Sequence, residues 1–219
     1  MEHGVKNNYG RISVLAGGPS SEREISLKSG RAVYEGLKRR GQNAHVIEFE
    51  NDINPILDKL GNGITFLALH GGMGENGTIQ ALLEKSGITY TGSGVKASRL
   101  AMDKVASRKL FSENGLKVPK YAILEPNTGF GGIGTGLEMP LVIKPRSGGS
   151  SIGLSIIGRE EDMASAVSRA FEHDDSVIAE EYVPGRELTV GILDGKALPV
   201  IEIKTRRNVY DFDAKYSDE

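Results

Sequence analysis

The chain has 219 residues, with 27 Lys+Arg against 29 Asp+Glu and a formal net charge of -2. That near-balance argues against a nucleic-acid partner, which calls for a basic excess or stripe, and 38% hydrophobic with 26% charged residues excludes a disordered chain. The absence of Cys excludes disulfide frameworks, thiolate zinc sites and cysteine nucleophiles, and fits a reducing cytoplasm.

No apolar run reaches the ~18 residues of a membrane span, so no membrane partner is expected. Residues 1–10 have no apolar h-region and are expected to be a disordered lead-in rather than a secretory signal. Arg11 to Ala16 then reads as a buried strand ending in Gly17-Gly18. Ser21 and Glu24 have capping-box spacing, which predicts a helix that Gly41 closes. Ala44 to Phe49 is a second strand, and Thr65 to Leu69 a third that runs into His70-Gly71-Gly72-Met73-Gly74-Glu75-Asn76-Gly77. Ile79, Leu82 and Leu83 give the next helix its apolar side, and Gly87 ends it. Strands alternating with helices imply a parallel sheet, whose ligands bind at the carboxyl ends of the strands.

Asp103 is placed to cap a helix that reaches Gly115. Residues 125–139 read as a Gly-rich loop, and Leu141 to Ile143 as a strand delivering Lys144-Pro145-Arg146-Ser147-Gly148-Gly149-Ser150-Ser151-Ile152-Gly153. An amphipathic helix over 159–172 follows, then a strand from Ser176 to Glu180. Glu187 to Leu193 alternates, and Asp194-Gly195 is a two-residue hairpin turn into Leu198 to Ile203. The pattern thus changes from parallel α/β to antiparallel α+β, with a boundary near residue 97.

The segment 144–153 carries the most chemistry. Glycines let backbone N–H groups approach an anion, hydroxyls add donors, and Lys144 can pair with phosphate. It is not a Walker A loop, because the Gly-Lys-Ser/Thr spacing is missing. The alternative is a solvated Gly/Ser loop with a surface lysine, and composition does not choose. His70 reads equally as a satisfied structural histidine, Glu22 as a solvated first-turn carboxylate, Lys104 as an exposed helical lysine, Glu180 and Glu187 as strand-end carboxylates, and Lys215-Tyr216 as part of a loose terminus. Their order along the chain is more informative than any one of them.

In that order the motifs resemble the D-alanine–D-alanine ligase family of the ATP-grasp superfamily. The matching segments are residues 17–26, 70–77, Tyr90-Thr91-Gly92-Ser93-Gly94, Met102-Asp103-Lys104, 144–153 and Tyr210-Asp211-Phe212-Asp213-Ala214-Lys215-Tyr216, spanning about residues 11–218. The resemblance implies an N-terminal parallel-sheet, Rossmann-like α/β domain over 11–97. An α+β ATP-grasp domain would follow, with a central subdomain over 98–185 and the start of a C-terminal subdomain over 186–219. It implies ATP-dependent joining of two D-alanines through an acyl phosphate for peptidoglycan synthesis and cell shape, in a cytoplasmic homodimer that uses Mg²⁺ or Mn²⁺.

By matching position, Lys104 and Lys144 would hold the ATP phosphates, with Lys215 nearby, and the loop around Ser150 and Ser151 would close over them. Glu180, Tyr182 and Val183 would line the adenine pocket, and Glu187 would accept the ribose hydroxyls. Glu22 would pair with the ammonium of the first D-alanine, with His70 close by. Ser150 and Tyr216 would hydrogen-bond with Glu22, and the pair Lys215-Tyr216 favours D-alanine over D-lactate as second substrate. The family's metal ligands, an intermediate-stabilising Arg and a Gly-rich oxyanion segment would lie beyond Glu219, so the 219-residue chain by itself is expected to be inactive. Two other classes stand beside this one: a truncated remnant that only binds nucleotide or substrate, and a different ATP-grasp carboxylate–amine ligase.

Overall fold

The computed structural model describes residues 9–126 and 136–204. Lys215 and Tyr216, most of the expected lead-in and most of the expected 125–139 loop lie outside them. The chain divides into two units, Met1–Ser107 and Arg108–Glu219, whereas the sequence places its boundary near residue 97.

In the first unit, strand β1 (Arg11–Gly17) is followed by helix α1 (Arg23–Arg39), β2 (Asn43–Phe49), the short helix α2 (Leu57–Leu60), β3 (Gly63–Leu67), α3 (Thr78–Lys85), β4 (Thr89–Tyr90) and α4 (Val95–Met102). The sheet is parallel with order β2-β1-β3-β4. Strand β1 is buried along nearly its whole length, as a central strand of a covered parallel sheet must be, which is why it reads as an apolar run without alternation. Leu15, Ile47, Phe49, Leu60, Ile79 and Leu83 form the core around it. Helix α4 has no counterpart among the sequence-based expectations.

The capping box expected at α1 does not form. The helix starts at Arg23, its N-cap is Glu22, and no side chain caps it. Ser20, rather than Ser21, supplies the local hydroxyl, because the chain makes a tighter turn out of Gly18 before the helix begins: Ser20 N–H donates to Gly18 O at 3.0 Å and Glu22 N–H to Ser20 Oγ at 3.1 Å. At α5 (Lys104–Glu113) the expected cap is present. Asp103 Oδ1 accepts the N–H groups of Val105 at 2.9 Å and Ala106 at 3.1 Å.

The second unit is built on an antiparallel sheet of order β5-β8-β6-β7, from β5 (Tyr121–Leu124), β6 (Leu141–Pro145), β7 (Ser155–Ile157) and β8 (Val177–Glu181). Helix α6 (Met163–Phe171) buries Met163, Ala166, Val167 and Ala170, the stripe that helical periodicity demands. They pack with Leu124, Leu141, Ile143, Val177 and Ala179. Those strand residues share one face, because residues directly opposite in the register, such as Ile143 and Ala179, point the same way. The other face therefore carries Tyr121, Glu180, Val142, Ile178 and Lys144. That allocation places the functional cluster.

After β8 the chain forms a hairpin. The inner strands β10 (Ile192–Leu193) and β11 (Lys196–Ala197) meet at Asp194-Gly195, both with positive φ (49° and 74°), as a two-residue turn of this type requires. The outer strands β9 (Glu187–Thr189) and β12 (Ile201–Ile203) pair in a register shifted by one residue. Val190 and Gly191 thus face Leu198, Pro199 and Val200, and the bulge takes in Pro199, which has no N–H for a regular ladder.

Candidate functional site

In the first unit, the turns after β1 and β3 lie together at the carboxyl edge of the sheet. Ser26 ties them: its hydroxyl donates to Ala68 O at 2.7 Å and accepts from Gly17 N–H at 2.8 Å. Ser20 Oγ donates to His70 O at 2.7 Å. The His70 ring shares a 2.9 Å hydrogen bond between Nε2 and Ser29 Oγ on α1. Glu22 is buried, at 6% exposure, and its carboxylate lies against the backbone of Gly71. A Cβ on Gly71 would stand 2.6 Å from Glu22 Oε2, and Gly71 holds φ 69° and ψ 169°, a conformation open only to glycine. The geometry thus brings Glu22 and His70 to one edge, with Ser29, which the sequence did not single out, on the His70 ring. The signal for Ser29 was its position on α1, one turn after Ser26 of the 17–26 motif.

In the second unit, Lys144 leaves β6 on the face opposite α6. Glu180 is its diagonal neighbour on β8, two residues from the position directly opposite. Lys144 Nζ pairs with Glu180 Oε1, and Arg108 Nη2 pairs with Glu180 Oε2. All three are largely removed from water: their side chains are 17%, 7% and 10% exposed for Lys144, Glu180 and Arg108. The Arg108 guanidinium also lies 5.0 Å from the centroid of the Tyr121 ring, within cation–π range. Arg108 was absent from the sequence-based expectations. Its only signal was its place one helical turn after Lys104 on α5.

Two cations on one carboxylate leave a net positive charge at the end of β6, where the Gly/Ser segment begins. Within that segment Ser150 (φ 51°) and Ser151 (φ 59°) both sit in the left-handed region, which costs a non-glycine residue about 1–3 kcal/mol and persists only where the surroundings enforce it. The segment 173–176 holds both ends of this loop. Arg146 N–H donates to Ser176 O at 3.0 Å. Ser147 donates to Asp174 Oδ2 through its N–H at 2.7 Å and its hydroxyl at 2.6 Å. At the far end, a Cβ on Gly153 would fall 2.7 Å from His173 Cδ2 and 2.9 Å from Pro145 Cγ.

The remaining expected residues lie on separate elements. Lys104 is the first residue of α5 and belongs to the first unit. Tyr182 follows β8, its N–H donating to Pro140 O at 3.1 Å, and both Tyr182 and Val183 are exposed. Glu187 opens β9 opposite Ile203 and is exposed. Among the described residues, no group of three or more His, Asp or Glu side chains is arranged to hold a metal ion.

Residues 110–219 match the family model described as the D-ala D-ala ligase C-terminus. A D-alanine–D-alanine ligase of Syntrophotalea carbinolica is 44% identical over 207 residues, 94% of this chain and 67% of that protein, so the chain spans about two thirds of its relative's length. Among solved structures, the D-alanine–D-alanine ligase of Bacillus anthracis superposes with a TM-score of 0.82 at 36% identity, over 95% of this chain and 69% of that one. Its complex with ATP gives 0.78 at 34% identity, over 88% and 66%.

Proposed function

The chain belongs to the D-alanine–D-alanine ligase family, and from that premise we propose that it takes part in the ATP-dependent joining of two D-alanines. A carboxylate is a poor electrophile. Transfer of the ATP γ-phosphoryl group to the carboxylate of the first D-alanine makes an acyl phosphate. The amine of the second attacks its carbonyl carbon, and phosphate leaves with the C–O electron pair. The site must hold transferred phosphoryl charge and keep water from the acyl phosphate.

The observation that carries the proposal is Lys144, delivered by β6 into the Gly/Ser loop and shared with Arg108 over Glu180. A net positive, half-dry cluster beside the amides and hydroxyls of a Gly/Ser loop suits a polyphosphate. In this reading Lys144 and Lys104 hold phosphate oxygens, Ser150 and Ser151 present the loop, Glu180, Tyr182 and Val183 border the adenine, and Glu187 accepts the ribose hydroxyls. In the first unit, the buried Glu22 carboxylate is the counter-charge for a D-alanine ammonium, with His70 beside it. Lys215, Tyr216, a homodimer, a cytoplasmic site of action and Mg²⁺ come from the family resemblance alone. The described residues do not fit a metal site. Among them, no helix is long and apolar enough to cross a membrane.

Titration of the chain with ATP, as wild type and as Lys144→Ala, tests the proposal. The substitution removes a charge-assisted hydrogen bond and is expected to weaken ATP binding by about 1–3 kcal/mol. Undiminished ATP affinity in the variant would remove the phosphate role of Lys144.

A further inference from the structure

We propose that Asp174 is a positioning residue for the phosphate loop: its carboxylate anchors Ser147 to the start of β8 and so sets the direction in which the amides of residues 147–153 point. This rests on the reading of 144–153 as a phosphate-binding loop. Asp174 is not itself one of the expected nucleotide residues, and its part is played through Ser147.

The two carboxylate oxygens are divided between two chain segments. Oδ2 accepts both the N–H and the hydroxyl of Ser147, at 2.7 and 2.6 Å. Oδ1 accepts the N–H of Ser176 at 3.1 Å. Ser176 in turn accepts the Arg146 N–H at its carbonyl, at 3.0 Å, and donates its hydroxyl to Glu125 Oε1 at 3.2 Å. The loop therefore leaves β6 with two successive residues, Arg146 and Ser147, fastened to the 174–176 corner. It returns at Gly153 with no room for a side chain between His173 and Pro145. Both feet of the loop stand on residues 173–176. Within the loop's own backbone, Ile152 N–H donates to Gly149 O at 3.1 Å and Leu154 N–H to Ser151 O at 3.3 Å. A span with two serines in the left-handed region is strained, and fixing its ends favours that shape.

Only an ionised carboxylate satisfies all three donors. An amide at position 174 can accept on one side only, and its NH₂ would face either Ser147 N–H or Ser176 N–H, donor against donor. Alanine releases both. Removing the Ser147 hydroxyl leaves the backbone bond intact and is the milder change.

The test compares ATP with adenosine, which lacks phosphates, on the 219-residue wild type, Asp174→Ala, Asp174→Asn, Ser147→Ala and Ser147→Thr. Amide hydrogen exchange of residues 146–154 is followed in parallel. We expect Asp174→Ala to weaken ATP about tenfold, the equivalent of ~1.4 kcal/mol, with adenosine affinity unchanged and loop amides exchanging faster while those of β6 and β8 do not. Ser147→Ala should show a smaller loss, and Ser147→Thr, which keeps the hydroxyl, should restore ATP affinity. Unchanged ATP affinity in Asp174→Ala, from a wild type that prefers ATP to adenosine, overturns the positioning role while leaving the phosphate-loop reading in place. Equal losses for ATP and adenosine overturn it too, since a general loss of structure moves both. A wild type that binds ATP no better than adenosine instead overturns the phosphate-loop reading, and the proposal with it.

Discussion

Glu180→Gln isolates the electrostatic element on which the second unit depends. The carboxylate lies between Lys144 and Arg108, and all three side chains are mostly dry. Two opposite charges about 4 Å apart attract by ~4 kcal/mol at an effective dielectric constant of about 20. Here each cation has the same single carboxylate, and much of that attraction offsets the loss of hydration. Glutamine keeps one acceptor oxygen for one cation and turns its NH₂ toward the other. It thereby leaves a positive charge in a low-dielectric setting facing two more donors. Breaking a buried pair in this way costs roughly 3–5 kcal/mol.

Removing either cation should cost less, because Glu180 keeps the other. Arg108→Met also deletes Nη1, which has no hydrogen-bond partner among the described residues, while giving up the contact with Tyr121, a contact of this kind being worth about 0.5–2 kcal/mol. Hydrogen-exchange protection of the β6 and β8 amides under native conditions reads the local opening free energy of this sheet directly. The expected order of loss is Glu180→Gln above both Lys144→Met and Arg108→Met. A Glu180→Gln loss below about 1 kcal/mol, or smaller than either cation removal, would refute the shared-carboxylate account.

Gly71→Ala should cost about 1–3 kcal/mol from backbone strain alone and displace the Glu22 carboxylate, abolishing D-alanine binding measured by calorimetry. Gly72→Ala, whose added Cβ would meet Ser20 Cβ at an ordinary 3.7 Å, should cost stability, ~1–2 kcal/mol, and spare binding. Glu22→Gln should raise the D-alanine concentration at half-saturation, since it removes the counter-charge to the ammonium; an unchanged titration would end that role. Burial alone would raise the Asp174 pKa, but the Ser147 hydroxyl and the Ser147, Ser176 and Asp175 amides outweigh it and hold the carboxyl below its ordinary 3.8. A lowered folded value means that its stabilisation is complete above 3.8 and is lost as pH falls through the lower folded value. Protection of the Ser147 and Ser176 amides should therefore collapse only in that acid window, and Asp174→Ala should remove the pH dependence.

Local signals in the chain were sufficient for most elements and for the chemistry each turn can do. Apolar runs leading into glycine-rich turns marked β1 and, two residues late, β3 (Gly63–Leu67 rather than Thr65 to Leu69), Asp103 marked the start of α5, and Asp194-Gly195 marked the hairpin, because each depends on residues within a few positions of one another. The capping box at Ser21 was misread for a related reason: whether Ser20 or Ser21 turns toward the helix depends on a contact from Ser20 to His70, fifty residues on. Glu180 and Lys144 could be named one by one but not joined, and Arg108 was not named at all, since nothing in their neighbours along the chain says that they come together. Antiparallel registry of β8 with β5 and β6 decides that, and a slip of one residue would turn Glu180 toward α6 and its apolar partners. The grip of Asp174 on Ser147 is of the same kind. Composition and spacing determine what each segment is able to bind; the pairing of distant strands determines which charges are brought together out of water, where their attraction is strong enough to matter.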